Sequence, residues 1–250
     1  MAIFDFTSNI RWFDQVGSTN DLCMECAQRG EAEGLVVAAH YQTHGRGQRG
    51  NVWTSERGQN LLFSVLLRPS FLRVDEQFLI TQAVAVALCQ LMEQCGVHQD
   101  VRIKWPNDIY LDNSKVVGVL VENSFCSEQL DVSVVGVGIN LNQSEFPASL
   151  PNPTSLALSA GCSFDAEEVL QRFLRLLANT YAMLRNGQRH ELHQNYMSRL
   201  YRYGRQARYR CAKGDFVATI VGISSIGELR LQLPDGAVRS FGFKEIAFVV

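Results

Sequence analysis

"VVGVLVEN" (Val116–Asn123) and "LDVSVVGVGINLN" (Leu130–Asn142) are valine-rich runs separated by a short polar segment. Branched side chains in runs this short predict strands, and the spacing pairs them as a hairpin. "DNSK" (Asp112–Lys115) is a turn signal just before the first run. Further upstream, "VRIKW" (Val101–Trp105) breaks at Pro106 and "DIYL" (Asp108–Leu111) resumes, so the middle of the chain is strand-rich.

Working outward, "LVVAAHY" (Leu35–Tyr41) and "NLLFSVLLRP" (Asn60–Pro69) read as strands. "GSTNDLCMECAQRG" opens with Ser18 three residues before Asp21 and closes on Gly30, the start and stop signals of a helix. Longer helical patterns cover Asp75–Cys95, Ala166–Arg185 and Arg189–Tyr203. Past residue 205 the chain changes to short alternating strands, "FVATIVGI", "ELRLQL" and "VRSFGF", parted by Gly and Asp turns. The expected architecture is α+β: a mixed-sheet domain over 1–204, followed by a small barrel-like β domain over 205–250.

Composition narrows the function classes. The 250 residues are 46% hydrophobic and 19% charged with a formal charge of −2, so anion binding must be local rather than global. The first residues lack a secretory pattern, and no apolar run reaches the ~20 residues of a membrane helix. Seven scattered cysteines suit a reducing cytoplasm. Cys23 and Cys26 form a CxxC inside a helical pattern with no second pair, which reads as buried structural thiols rather than a zinc site.

Four stretches could carry chemistry. "GRGQRGNVW" (Gly45–Trp53) mixes glycines with Arg46 and Arg49, a backbone able to close on a ligand beside charge suited to carboxylate or phosphate. It is neither a Walker A loop nor a dinucleotide fingerprint. In "KWPND", Lys104 and Asp108 flank a proline turn, a cation for phosphates near a carboxylate for Mg2+. In "SKVVGVLVE", Lys115 stands at the mouth of a buried strand beside Gly118, and in "GVGIN", Gly136 and Gly138 interrupt another.

In this order, with "GSTN", these motifs resemble the biotin protein ligase family from about residue 12 to about 143. The resemblance implies a catalytic domain related to class II aminoacyl-tRNA synthetases and lipoate ligases, with an SH3-like barrel at the C-terminus. It implies ATP-dependent activation of biotin to biotinyl-5′-AMP, then transfer to a lysine of a biotin carboxyl carrier protein domain. By the family pattern, Arg46 and Lys115 would neutralise the biotin carboxylate and α-phosphate, Lys104 would face pyrophosphate and Asp108 would help hold Mg2+. Ser18, Thr19, Asn20 and Gln42 would meet the ureido ring. Gly45, Gly47 and Gln48 would complete the loop's contacts. Gly118, Gly136 and Gly138 would wall the slot, with Trp53 and Asn140 near adenine.

The loop departs from the family's arginine-rich form at Gln48 and Asn51, and "EIAFVV" lacks an arginine found near the C-terminus of some relatives. Only about ten residues precede the motifs, so a monofunctional enzyme without a DNA-binding domain is expected. A homodimer is left open. Two rival readings are a lipoate ligase and a nucleic-acid module built on the basic, tyrosine-rich Arg199–Lys213. The histidine pairs His190/His193 and His40/His44 read as ordinary polar positions.

Overall fold

A computed structural model describes residues 5–249, the side chain of Arg49 excepted. The valine-rich hairpin is its centre: β6 (Ser114–Cys126) pairs antiparallel with β7 (Gln129–Ile139). Around it stand β1 (Ile10–Phe13), β2 (Val36–Ala39), β3 (Leu61–Leu67), β4 (Val101–Lys104) and β5 (Asp108–Leu111). They form one seven-stranded sheet in the order β1-β2-β3-β7-β6-β5-β4. Only β1 and β2 run parallel, bridged by helix α1 (Thr19–Gln28), so the sheet is mixed as expected.

Residue alternation assigns each side of the sheet. Phe63, Val65, Val117, Val119, Val135 and Val137 belong to the large core under helices α2 (Phe78–Gln94), α4 (Ala166–Arg185) and α5 (Arg189–Ser198). Their neighbours turn to the opposite face, where Val37, Leu66 and Val134 pack with Cys23 and Cys26 of α1. Both thiols are buried, and desolvation lifts the Cys23 pKa to about 12. The same period of two brings Ser64, Gly118, Leu120, Glu122, Gly136 and Gly138 to one face. In register, Gly118 lies opposite Gly138, and Gly136 opposite both Leu120 and Ser64. That strip becomes the floor of the site.

The structure departs from the sequence reading at several ends. β1 and the short helix α3 (Leu156–Ala160) were not expected. A 3-10 turn over Val74–Glu76 takes the place of the first turn of α2. Helix α5 stops at Ser198 rather than Tyr203, because Ile103 N–H donates to Arg199 O and Tyr201 N–H to Ile103 O, drawing the chain alongside β4.

The C-terminal segment forms β8 (Gln206–Cys211), β9 (Gly214–Ile223), β10 (Leu229–Gln232), β11 (Val238–Phe241) and β12 (Ala247–Phe248). They make a five-stranded antiparallel sheet ordered β11-β10-β9-β8-β12, and among the described residues no pairing closes β11 onto β12. Tyr209, Ile220, Leu231 and Ile246 join the large core, and Trp105 Nε1 donates to Gly227 O at 2.9 Å. The small sheet is thereby fixed against the "KWPND" turn.

Candidate active site

Ser18 caps α1 from an extended conformation, its hydroxyl accepting from Asp21 N–H. The cap holds Ser18, Thr19 and Asn20 buried at the edge of the glycine strip. Gln42 Oε1 accepts from Thr19 N–H at 2.7 Å and from Thr19 Oγ1 at 3.1 Å. Ser64, wholly buried on β3, donates from its hydroxyl toward Asn20 Oδ1 at 2.6 Å and lies 2.8 Å from Thr19 Oγ1. Asn20 Nδ2 donates to Glu122 Oε2 at 2.8 Å.

The glycine-arginine loop folds over these groups. Gly47 N–H donates to Asn51 O and Trp53 N–H to Gly45 O, so Arg46 and Val52 stand as an antiparallel bridge. A Cβ on Gly45 would lie 2.3 Å from Trp53 O, which is why glycine is needed at that close approach. Arg46 reaches down to the carboxylates of Asp21 and, at 2.5 Å, Glu122. Burial alone would lower its pKa, but the two carboxylates outweigh that and hold the guanidinium charged. Trp53 lays its indole on the strip: a Cβ on Gly118 would be 2.6 Å from the ring and one on Gly138 2.5 Å. Its Nε1 is buried and has no partner among the described residues. Gly136 serves differently from its two companions, because its missing Cβ makes room for the Asn20 carboxamide.

At the far end Lys104 and Asp108 face each other across the β4–β5 turn, through a cis Trp105–Pro106 bond. They do not pair as a simple surface couple. Asp108 bonds Lys115 Nζ at 2.8 Å, while Lys104 Nζ donates to Tyr110 OH at 2.9 Å and lies 5.5 Å from the Phe248 ring centre. Desolvation lowers the Lys104 pKa below that of an ordinary lysine, against the pull of Asp108. Burial, and then the charge of Asp108, push the Tyr110 hydroxyl up to about 12. The backbone of Lys115 is gripped on both sides, its N–H by Asn152 O and its carbonyl by Thr154 N–H.

These parts enclose a slot of about 310 Å³, within the usual range for a small-molecule site. Among its described lining residues Arg46, Lys104 and Lys115 are cationic and Asp108 is the only acid, so the slot is built for anions. Ser18, Thr19, Asn20, Gln42, Gly47, Gln48, Trp53, Gly118, Gly136 and Gly138 also line it. Two expected residues stand outside. Gly45 works behind the loop, and Asn140 is buried with its Nδ2 donating to Thr154 O, which braces the segment that grips Lys115.

Sequence reasoning missed part of the site. Phe243, Ile246, Ala247 and Phe248 of the small sheet close its far end, although no C-terminal residue had been singled out. Ser64 and Glu122 were also missed; the available signals were a lone hydroxyl inside an apolar strand and an acid ending a valine run. The basic segment Arg199–Lys213 is dispersed by its partners. Arg199 pairs with Glu93, Arg208 and Arg210 with Asp215, and Arg202 bonds Val249 O. His40 stacks on Trp12, and among the described residues no three potential metal ligands cluster.

Residues 12–140 match the Biotin/lipoate A/B protein ligase family. The bifunctional ligase/repressor BirA of Bacillus subtilis (strain 168) is 32% identical over 234 residues, which is 92% of this chain and 71% of that protein. The biotin–[acetyl-CoA-carboxylase] ligase of Paracoccus denitrificans is 29% identical, covering 88% of this chain and 92% of its own. Among solved structures, the biotin protein ligase from Aquifex aeolicus in complex with biotin and ATP superposes with a TM-score of 0.80 at 26% identity, over 96% of this chain and 98% of that one.

Proposed function

The chain belongs to the biotin/lipoate A/B protein ligase family, and we propose that it activates biotin with ATP and transfers it to a lysine of a carrier-protein domain. The observation that carries this reading is a slot with Lys104 and Lys115 at one end and, at the other, the hydrogen-bonding Ser18, Thr19, Asn20 and Gln42 with Arg46 held above them. Biotin needs both ends: a ureido ring to be met by polar groups, and a carboxylate to be brought against a triphosphate. Lipoate has no ureido group to use the Ser18–Asn20 end.

The chemistry explains the arrangement. A carboxylate is a poor electrophile, and its charge repels the phosphate it must attack. Lys115 and Arg46 neutralise both anions at the point of contact, and Lys104 meets the departing pyrophosphate. The mixed anhydride is then open to attack by the acceptor lysine amine, with AMP leaving. Trp53 and the Phe248 end provide flat apolar faces for adenine, and Trp53 Nε1, which has no partner among the described residues, supplies a donor. Mg2+ is habitually held by one or two carboxylates plus substrate phosphates, so the single acid Asp108 fits that donor set. When bound there the ion would offset phosphate charge. Residues 1–204 constitute the catalytic unit and 205–250 the small β domain that completes its far wall. Seven unpaired thiols suit a cytoplasmic reaction.

ATP–pyrophosphate exchange with biotin, with lipoate and with no acid tests the assignment. Exchange dependent on biotin supports it; exchange with lipoate alone overturns it.

A further inference from the structure

We propose that Glu122 is a positioning residue whose one carboxylate both sets the hydrogen-bond polarity of the slot's ring end and holds Arg46 above it. The proposal rests on the biotin reading and goes beyond it, because neither Glu122 nor Ser64 is among the residues that the family pattern supplied.

The starting point is what each group can give. A carboxylate only accepts, so Asn20 must turn its Nδ2 toward Glu122 Oε2, at 2.8 Å, and its Oδ1 the other way. That oxygen meets Ser64 Oγ at 2.6 Å, and since a carbonyl has no proton, Ser64 must donate its only one there. Ser64 is then left with lone pairs toward Thr19 Oγ1 at 2.8 Å. Thr19 also has a single hydroxyl proton, and both Ser64 and Gln42 Oε1 can take it. In either case Thr19 keeps lone pairs, not a proton, for the slot. Gln42 has its Oε1 committed to Thr19 N–H at 2.7 Å, and its amide donors have no partner among the described residues. The ring end therefore offers an acceptor on Thr19 and a donor on Gln42. That pattern complements a ureido group, which carries N–H and C=O side by side.

The second function uses the other carboxylate oxygen. Glu122 Oε1 bonds Arg46 at 2.5 Å, and Asp21 bonds the same guanidinium from α1. Asp21 has no described side-chain partner besides Arg46, whereas Glu122 is also tied to Asn20 and is the less exposed of the two, 30% against 53%. Glu122 is thus the fixed anchor through which the loop and the ring end share one charge.

Replacing the carboxylate by an amide leaves one acceptor where there were two, so both constraints can no longer be met at once. The new amide can donate, only the long 3.4 Å bond from Asn20 Nδ2 to Leu120 O then opposes a turn of Asn20, and the chain of donors can reverse until Thr19 shows the slot a proton. The test uses the full-length protein and four forms: wild type, E122Q, S64A and the double variant. Calorimetric titration with biotin and with biotin methyl ester reads the ring end, since the ester lacks the carboxylate. Release of biotinyl-5′-AMP after a single turnover reads the Arg46 end.

E122Q should weaken both ligands about tenfold, in line with the loss of a charge-assisted hydrogen bond. S64A should do the same, and the double variant no more than either single one, because one chain is being cut twice. E122Q should also speed adenylate release several-fold, and S64A should not. E122D, which restores the charge on a shorter arm, should recover part of the loss. Affinities within twofold of wild type in E122Q, or additive losses in the double variant, overturn the proposal. If E122Q does not fold, S64A with unchanged affinities does so alone. Failure of the wild type itself to bind biotin overturns the functional reading as well, a result distinct from all the others.

Discussion

Gly136→Ala and Gly138→Ala make the same chemical change two positions apart on β7, and the structure predicts opposite consequences. A Cβ on Gly136 would lie 2.0 Å from Asn20 Oδ1 and 2.8 Å from its Cγ. Relief to an ordinary contact requires the carboxamide to move by roughly 1 Å or more. Asn20 is 3% exposed and held at 2.6 Å by Ser64 and 2.8 Å by Glu122, so such a move breaks at least one of these bonds. An orphaned buried polar group costs about 1–3 kcal/mol, and local overpacking about as much again. Removing a strand glycine returns roughly 0.5–1 kcal/mol through the unfolded state. The net loss is about 1–5 kcal/mol, which for a chain of this size lowers Tm by roughly 2–20 °C. Gly138→Ala instead drives its Cβ to 2.5 Å from the Trp53 ring. Trp53 belongs to a loop and its Nε1 bonds none of the described residues, so the indole can lift away at a cost of about 1 kcal/mol or less. Thermal unfolding and tryptophan emission separate the two. Gly136→Ala should lose Tm with little change in folded-state emission, and Gly138→Ala the reverse. A wild-type Tm in Gly136→Ala, with a large loss in Gly138→Ala, would refute the roles given to Asn20 and Trp53.

Lys115→Ala should abolish single-turnover adenylate formation while leaving Tm within a few degrees, because the charge lost is partly exposed and acts mainly as the carboxylate meets the phosphate. Near-normal turnover refutes that role. Burial depresses the Lys104 pKa, so the folded protein surrenders this proton at lower pH than the unfolded chain does. Below the depressed value the buried charge weighs against folding, and stability attributable to it rises as pH climbs from there toward 10.5. Pyrophosphate affinity should fall over the same window. Lys104→Met should abolish that pH dependence of affinity, measured by titration with pyrophosphate, and an unchanged profile counts against the assignment. Trp105→Phe deletes the bond to Gly227 O and should cost about 1–2 kcal/mol in denaturant unfolding. No loss would mean that the small sheet is held by its apolar contacts alone.

Local periodicity exposed the parts of the fold that obey it. The β6–β7 hairpin and α4 follow their patterns closely, and α1 begins at the Ser18 cap that the sequence advertises. Elements that tertiary contacts decide were less visible. "IRWF" becomes β1 only because Val36–Ala39 lies beside it, and α5 ends early because the chain after it is captured by Ile103. The site divides along the same line. Motif-bearing residues such as Arg46, Lys104, Asp108 and Lys115 could be picked out in one dimension, since glycine, proline and charge punctuate them. Phe248 could not, because it reaches the slot through the packing of a second sheet.

Each lining cation among the described residues already has a partner: Arg46 the carboxylates of Asp21 and Glu122, Lys115 that of Asp108, and Lys104 the hydroxyl of Tyr110. An arriving carboxylate or phosphate therefore exchanges one acceptor for another rather than meeting a bare charge. The net gain per contact is smaller than a Coulomb estimate suggests, since the displaced acid must be resolvated or given a new cation. Selectivity follows from that exchange. A lone carboxylate gains little by displacing Asp108 from Lys115, whereas a phosphate group would satisfy the lysine and, were a cation to accompany it, Asp108 would have a new partner. The ligand that carries both a phosphate and its cation is the one for which the exchange closes, so the arrangement favours biotin entering with ATP over binding of either anion alone. Asp108→Asn should erase that preference: biotin affinity without nucleotide should rise toward its value with ATP, and calorimetry showing the wild-type gap intact in this variant would contradict the exchange.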